Sequence, residues 1–197
     1  HRGRLRRRRV EASVEAGTWV FQLPYSEFPE PPWIQKMGPY DHAKAYLHSR
    51  TLRWSYGAIE GREADLWQRE TAAETAPEMI RRMSLVGFGG LYIDRAGFAD
   101  RAEKLEMEIR KEIRDAPIES TDGRRLFFRV GVADDASLGE VSDEERSMRR
   151  MQAAHPLIVK WVRGCTDQEG NERDYWRWCS QSVALRFINT AGRARKA

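Results

Sequence analysis

The sequence predicts an α/β fold: a small parallel or mixed sheet flanked by helices, followed by a C-terminal antiparallel β meander. Two observations carry this. Short apolar runs at Trp19–Leu23, Leu91–Ile93 and Leu126–Val130 alternate with stretches of helical periodicity, a rhythm whose natural product is a parallel or mixed sheet. Beyond an acidic connector, Leu157–Gly164, Asp174–Cys179 and Val183–Asn189 are strand-like runs divided by polar turns, with Gly170-Asn171-Glu172 as a hairpin tip. A chain of 197 residues allows one domain with a smaller companion and buries a core without staples.

Taken in order, residues 1–15 read as a basic linker, because Arg2, Arg4, Arg6, Arg7, Arg8 and Arg9 form a like-charged block expected to stay solvated. The α/β domain follows over residues 16–132. Its first strand, Trp19–Leu23, is apolar on both alternating faces, as expected where helices cover both sides of a sheet. A short helix carries His42 and His48, and Arg53–Gly57 alternates like a strand or an ordered loop. Thr75 and Pro77 open a helix that places Met79, Ile80, Met83 and Val86 on one side, and Gly87 supplies its left-handed stop. A helix over Asp100–Arg114 sets Ala102, Leu105, Ile109 and Ile113 on one stripe, and Pro117 keeps it from continuing. Asp122-Gly123 is a turn before the last strand of the domain. Residues 133–155 form a connector: acidic Ala133–Asp143, then a Ser/Asp-led helix over Ser142–Ala154. The antiparallel β segment occupies residues 156–197.

The net charge of +4 does not mark a nucleic-acid-binding face. Without the six N-terminal arginines, 28 basic residues stand against 30 acidic ones, so the basicity is a tail. No nucleic-acid partner is expected; a solvated tail or a membrane-proximal linker touching anionic headgroups fits better. No apolar run approaches the roughly 18 residues that span a bilayer. The chain opens at His1 without a methionine, so it reads as a segment of something longer. GFGG at 87–90 follows a helix and precedes a strand, the wrong order for a dinucleotide loop, and no Walker, nucleophile-elbow or zinc-protease motif is present, so no cofactor is expected.

Cys165 and Cys179 lie opposite each other across the hairpin tip, where cross-strand Cβ atoms stand roughly 4.5–5.5 Å apart. A disulfide there closes a loop of about 15 residues, contributes about 3 kcal/mol in the chain-entropy account and favours an oxidising, extracytoplasmic compartment. The alternative is a pair of buried, reduced thiols. Two cysteines without nearby histidines leave a zinc site two ligands short, so no metal is expected.

The densest functional signal runs from Trp19 to Asp65. Tyr25, Phe28, Trp33, Tyr40, Tyr46, Trp54 and Tyr56 are interleaved there with Glu27, Glu30, His42, His48, Arg53 and Arg62. Rings with polar tips are the usual lining of a recognition surface, and ligands of open α/β sheets gather beyond the carboxyl ends of the strands. The expected ligand-binding set is Tyr25, Glu30, His48, Arg53, Trp54, Tyr56 and Arg62. Arg53 and Arg62 either hold phosphate or carboxylate through forked donors or pin the loop to Glu27 or Glu30. The catalytic candidates are Glu27 and Glu30, two carboxylates on a proline-stiffened loop suited to acid/base work on a sugar, and the Asp41–His42 pair. The blander reading has Asp41 capping the helix and His42 exposed in its first turn. His42 and His48, six residues apart, differ by about 240° around a helix and cannot form an i, i+4 metal pair. Trp161, Trp176 and Trp178 make a core layer or a sugar-stacking platform.

The segments FQLPYSEFPEPP, YDHAKAYLHS, LRWSYGAIEGR and GFGGLYIDR, and more loosely WRWCSQSVALRFIN, carry a resemblance. Over roughly Val10 to Val130 the chain resembles the soluble extracytoplasmic C-terminal region of bacterial multi-spanning membrane proteins of the GT-C-type glycosyltransferase or sulfatase/phosphoglycerol-transferase-like kind. The resemblance implies attachment to the membrane through the parent chain, whose membrane-embedded part holds the catalytic acid and is one partner. It also implies an accessory role, that of recognising or positioning a sugar or glycolipid acceptor. The alternatives are an autonomous hydrolase or transferase acting on a glycan or phospho-sugar, and a structural assembly module.

Overall fold

A computed structural model describes residues 7–131, 157–166, 169–170, 175–176 and 178–189. The chain divides into two compact units, His1–Arg150 and Met151–Ala197. The first is mixed α/β and the second antiparallel β, the fold class expected. The acidic connector Ala133–Asp143 and the helix expected over Ser142–Ala154 lie outside the described residues.

The first unit is built on a five-stranded mixed sheet of order β2-β1-β3-β5-β4. β1 (Trp19–Leu23) lies between β2 (Arg53–Trp54) and β3 (Phe88–Asp94) and is parallel to both. β5 (Arg125–Arg129) pairs antiparallel with β3 and with β4 (Ile118–Glu119). Alternation divides the strands between two cores, since successive side chains point to opposite faces. Phe21, Leu23, Leu91, Ile93, Leu126 and Phe128 meet α3 (Glu63–Ala72), α4 (Ala76–Leu85) and α5 (Glu103–Glu112) through Trp67, Met79, Met83 and Ile109. Val20, Tyr92 and Phe127, from the intervening positions, pack on the other face with Val10 and Leu52, and with Ala45 of α2 (Ala43–Leu47).

The chain leaves β1 through a long loop and α2 on the second face, and returns beside it as β2. It then crosses the first face through α3 and α4 to reach β3 on β1's other flank. Connections leaving in opposite directions open a crevice beyond the carboxyl ends of β1 and β3, the place where such sheets hold ligands.

Three local results differ from the sequence reading. The folded body begins inside the stretch expected as a basic linker: Arg7–Glu11 is a helix, α1, with Val10 buried in the second core. Glu11 Oε1 anchors it by accepting from the Arg50 N–H at 2.7 Å. α3 is a helix that the sequence reading does not anticipate, because Trp67 is the one large apolar side chain it buries. α5 starts later than Asp100, since Arg101 and Ala102 adopt left-handed φ values of 57° and 64°. Asp100 accepts from the Ala102 and Lys104 N–H groups at that start. α4 is as read: Met79 and Met83 are buried, Ile80 and Val86 pack beside them, and Gly87 at φ 93° ends the helix.

The second unit is one long hairpin. β6 (Leu157–Cys165) pairs antiparallel with β9 (Cys179–Asn189), and β7 (Glu169–Gly170) with β8 (Tyr175–Trp176) nearer the tip. The runs read as a meander thus form two separate two-stranded ladders, β6–β9 and β7–β8, rather than one three-stranded sheet. Cys165 and Cys179 are register partners and form a disulfide. Among the described residues no helix is long and apolar enough to cross a membrane.

Candidate functional site

The crevice beyond β1 and β3 is filled by the protein itself. β1 ends at Leu23, and Pro24 follows through a cis peptide bond. Gly97, in the turn after β3, lies so close that a Cβ there would stand 2.5 Å from Pro24 Cγ. Only glycine permits this approach.

A buried ionic clasp lies beside that contact. Asp94, the last residue of β3, is 0 % exposed and accepts from Arg124 Nε at 2.7 Å and Nη2 at 2.8 Å. The same Nη2 donates to Asp41 Oδ2 at 2.6 Å. Asp41 also accepts from Lys44 Nζ and from the Gly38 N–H at 2.9 Å. Burial pushes the Asp41 carboxyl up, but the bonds from Lys44, Arg124 and Gly38 outweigh it and hold it down to about 2. One guanidinium therefore joins the loop after β1, the end of β3 and the turn before β5.

His42 is buried rather than exposed in a first helical turn. Its Nε2 donates to the Pro24 carbonyl at 2.8 Å, which leaves Nδ1 as the acceptor atom, buried and without a partner. Loss of hydration lowers its pKa below the ordinary 6.5. Asp41 does not cap α2; His42 occupies the N-cap position and its side chain makes no cap bond. A carboxylate facing two cations is better satisfied there than on a single helix N–H. Gln22 completes the floor, donating to the His42 carbonyl at 3.1 Å and accepting from the Tyr56 N–H at 3.2 Å.

The expected ligand-binding residues divide between interior and surface. The Tyr25 hydroxyl donates to Asp65 Oδ1, and burial together with that bond raises its pKa. Trp54 packs edge-on against Tyr92 at 5.6 Å, and Tyr56 packs against Phe28 and His42 at 5.7 Å each. The Trp54 Nε1 and the Tyr56 hydroxyl are buried without partners. Glu30, His48, Arg53 and Arg62 are exposed and Glu27 is half-buried. Arg53 lies over the Trp19 ring at 5.6 Å, and Arg62 stands at the N-cap of α3. The set does not converge on one cavity. In the hairpin, Trp178 is exposed, while the side chains of Trp161 and Trp176 lie outside the described residues.

Two rings omitted from that set stand further into solvent. Trp33 is 71 % exposed and Tyr40 51 % exposed, yet both are held. Ile34 and Met37 close a tight turn by exchanging backbone bonds of 3.1 and 2.9 Å, buried Met37 roots it, and the Lys36 N–H donates to the Ala96 carbonyl at 2.9 Å. Trp33 lies across Gly38, where a Cβ would meet the ring at 3.4 Å, and the Tyr40 hydroxyl donates to the Pro29 carbonyl at 2.9 Å. Both rings thus stand on one proline-braced turn, with exposed Glu30 in the same loop. The available signal was that each ring directly follows a proline, Pro32-Trp33 and Pro39-Tyr40. Exposed ring faces held by the backbone around them suit the C–H faces of a sugar.

Among the described residues no group of three or more His, Cys, Asp or Glu side chains is arranged to hold a metal ion. No protein-family model, curated protein or solved structure matches the chain.

Proposed function

We propose that this is an extracytoplasmic accessory domain that recognises or positions a sugar or glycolipid acceptor for the membrane-embedded part of its parent chain. The observation carrying the reading is that Trp33 and Tyr40, two large rings in one loop, are kept in water while Gly38 and the Pro29 carbonyl hold them. An exposed ring costs hydration free energy unless something covers it, and a rigid one loses little entropy when a ligand does. The disulfide supports an oxidising compartment. The resemblance in the Pro-rich and LRWSYGAIEGR segments supports the membrane-bound parent.

The test is a glycan-array screen followed by fluorescence titration of the best soluble glycan. Binding by the wild type that is lost in Trp33→Ala and weakened in Tyr40→Ala is the expected result. No glycan bound, or equal binding by Trp33→Ala, would overturn the proposal and leave the structural assembly module as the better account.

A further inference from the structure

Among the described residues four buried side-chain atoms have no hydrogen-bond partner, and three of them belong to one group of rings: His42 Nδ1, the Tyr56 hydroxyl and Trp54 Nε1. The group is continuous. His42 packs against Tyr56 at 5.7 Å and against Tyr92 at 6.1 Å, and Tyr92 meets Trp54 at 5.6 Å. His42 is 2 % exposed, so its ring is shut off from bulk solvent. The neighbouring polar groups are engaged elsewhere. The Tyr92 hydroxyl accepts from Arg125, the Tyr40 hydroxyl donates to the Pro29 carbonyl, and the Gln22 amide spans the His42 carbonyl and the Tyr56 N–H. A buried polar atom left unpaired is destabilising, and three in one group is not how a core is ordinarily closed.

The three atoms have complementary roles. His42 donates through Nε2 to the Pro24 carbonyl, so Nδ1 can only accept. Trp54 Nε1 can only donate, and the Tyr56 hydroxyl can do either. A carboxylate has no proton for Nδ1 and an ammonium has no lone pair for the indole N–H, and either charge is costly so far from water. A neutral hydroxyl meets both demands. We propose that this ring cluster is an internal binding site for one neutral hydroxyl, which donates to His42 Nδ1 and accepts from the Tyr56 hydroxyl, with Trp54 Nε1 as the second donor. Three such bonds are the usual complement of a buried water. The site adjoins the candidate sugar surface, since Phe28 packs edge-on against Tyr56 at 5.7 Å and the next carbonyl, that of Pro29, holds Tyr40. The hydroxyl therefore belongs either to a water or to an alcohol that enters past Phe28. Neither source requires the surface rings to bind a sugar.

The experiment is nitrogen-15 NMR of the 197-residue chain at neutral pH, where His42 is uncharged. The His42 Nδ1 resonance is expected away from the position of a bare acceptor nitrogen and toward that of a hydrogen-bonded one. Magnetisation should also pass from a long-lived hydroxyl to the Tyr56 ring. A bare Nδ1 with no such transfer would overturn the proposal. Tyr56→Phe supplies a sign. With a hydroxyl bound, losing the phenol breaks a bond and lowers the melting temperature by about 2–4 °C. A melting temperature that holds or rises would mean that an unpaired group had been relieved, and would sink the idea as well. Added methanol names the source, and either result upholds the site. Transfer from its methyl protons to the Tyr56 ring assigns a carbon-borne hydroxyl, whereas water transfer unchanged by methanol assigns a buried water.

Discussion

Between Pro24 and Leu52 the chain uses similar residues in two opposite ways. On the inner side, Asp41 and His42 are buried, bonded to Arg124 and to the Pro24 carbonyl, and close the crevice beyond β1 and β3. On the outer side, Trp33, Tyr40, Tyr46 and Leu47 stay in water on a braced turn and a short helix. Residue type does not separate the two groups, since both hold rings with polar tips. Partners do. The inner side chains bond to groups far along the chain, Arg124 being 83 positions from Asp41, whereas the Tyr40 hydroxyl bonds within its own loop, to the Pro29 carbonyl 11 positions away. The place where an α/β sheet ordinarily receives a ligand has become structure, and the exposed rings stand on the loop and helix that follow β1.

The inner side is most vulnerable at Asp94. Asp94→Ala leaves the Arg124 guanidinium with Asp41 as its remaining carboxylate, opens a cavity beside it and removes the counter-charge near Arg125, 3.9 Å away. Breaking a buried pair from one side costs about 3–5 kcal/mol, which urea denaturation would read as a large fall in midpoint. A loss below about 1 kcal/mol would mean that the clasp is loosely held and that the crevice is open enough for water to replace the carboxylate.

Gly97→Ala tests how tightly the crevice is closed. The added methyl meets Pro24 ring carbons at 2.5 and 2.6 Å, so the turn after β3 or the loop after β1 must shift. The expected cost is about 1–3 kcal/mol, read as a lower melting temperature. An unaffected protein would show that the two strand ends move apart freely.

The inner group also has a pH signature. His42 is held neutral in the folded state by burial, whereas the unfolded chain takes up a proton near 6.5. Stability therefore falls as pH drops through and below that value, because the unfolded state then binds more protons. His42→Asn should flatten this slope between about pH 7 and 5. Asp41 acts in a separate window: its contribution is complete above its ordinary value of 3.8 and is lost as pH falls through about 2. Urea midpoints across pH would resolve the two steps. A His42→Asn profile parallel to the wild type's above pH 5 would show that the ring protonates in place.

How much of this was legible in the sequence follows from where each signal sits. α4 and its stop at Gly87 were legible because four apolar residues share a side and glycine ends them. The two-sided burial of β1 was visible in its unbroken apolar run, and the cysteine register in the symmetry of the hairpin. α3 was hidden because a helix that buries one tryptophan has no periodicity to detect. α1 was hidden behind arginine charge, with Val10 the lone apolar anchor. The clasp was out of reach, since no local pattern pairs Asp41 with a residue beyond β4. Which rings would face water was half legible: Trp33 and Tyr40 follow prolines and stand in water, but Tyr25 follows one too and is half-buried against Asp65, while Trp54, on β2, is drawn into the second core.

The smallest structural effect is the most informative for the outer side. Trp33→Ala removes a ring that is mostly in water, so little buried area is lost and stability should change by no more than about 0.5 kcal/mol. A ring that served only to brace the turn would behave differently. Its removal would uncover Gly38, loosen the Ile34–Met37 exchange and lower the melting temperature in step with any loss of binding. Thermal melting and glycan titration of the same variant therefore distinguish the two roles. Unchanged melting with lost binding assigns Trp33 to recognition, and a joint fall makes the outer rings part of the same closed structure as Asp41 and His42.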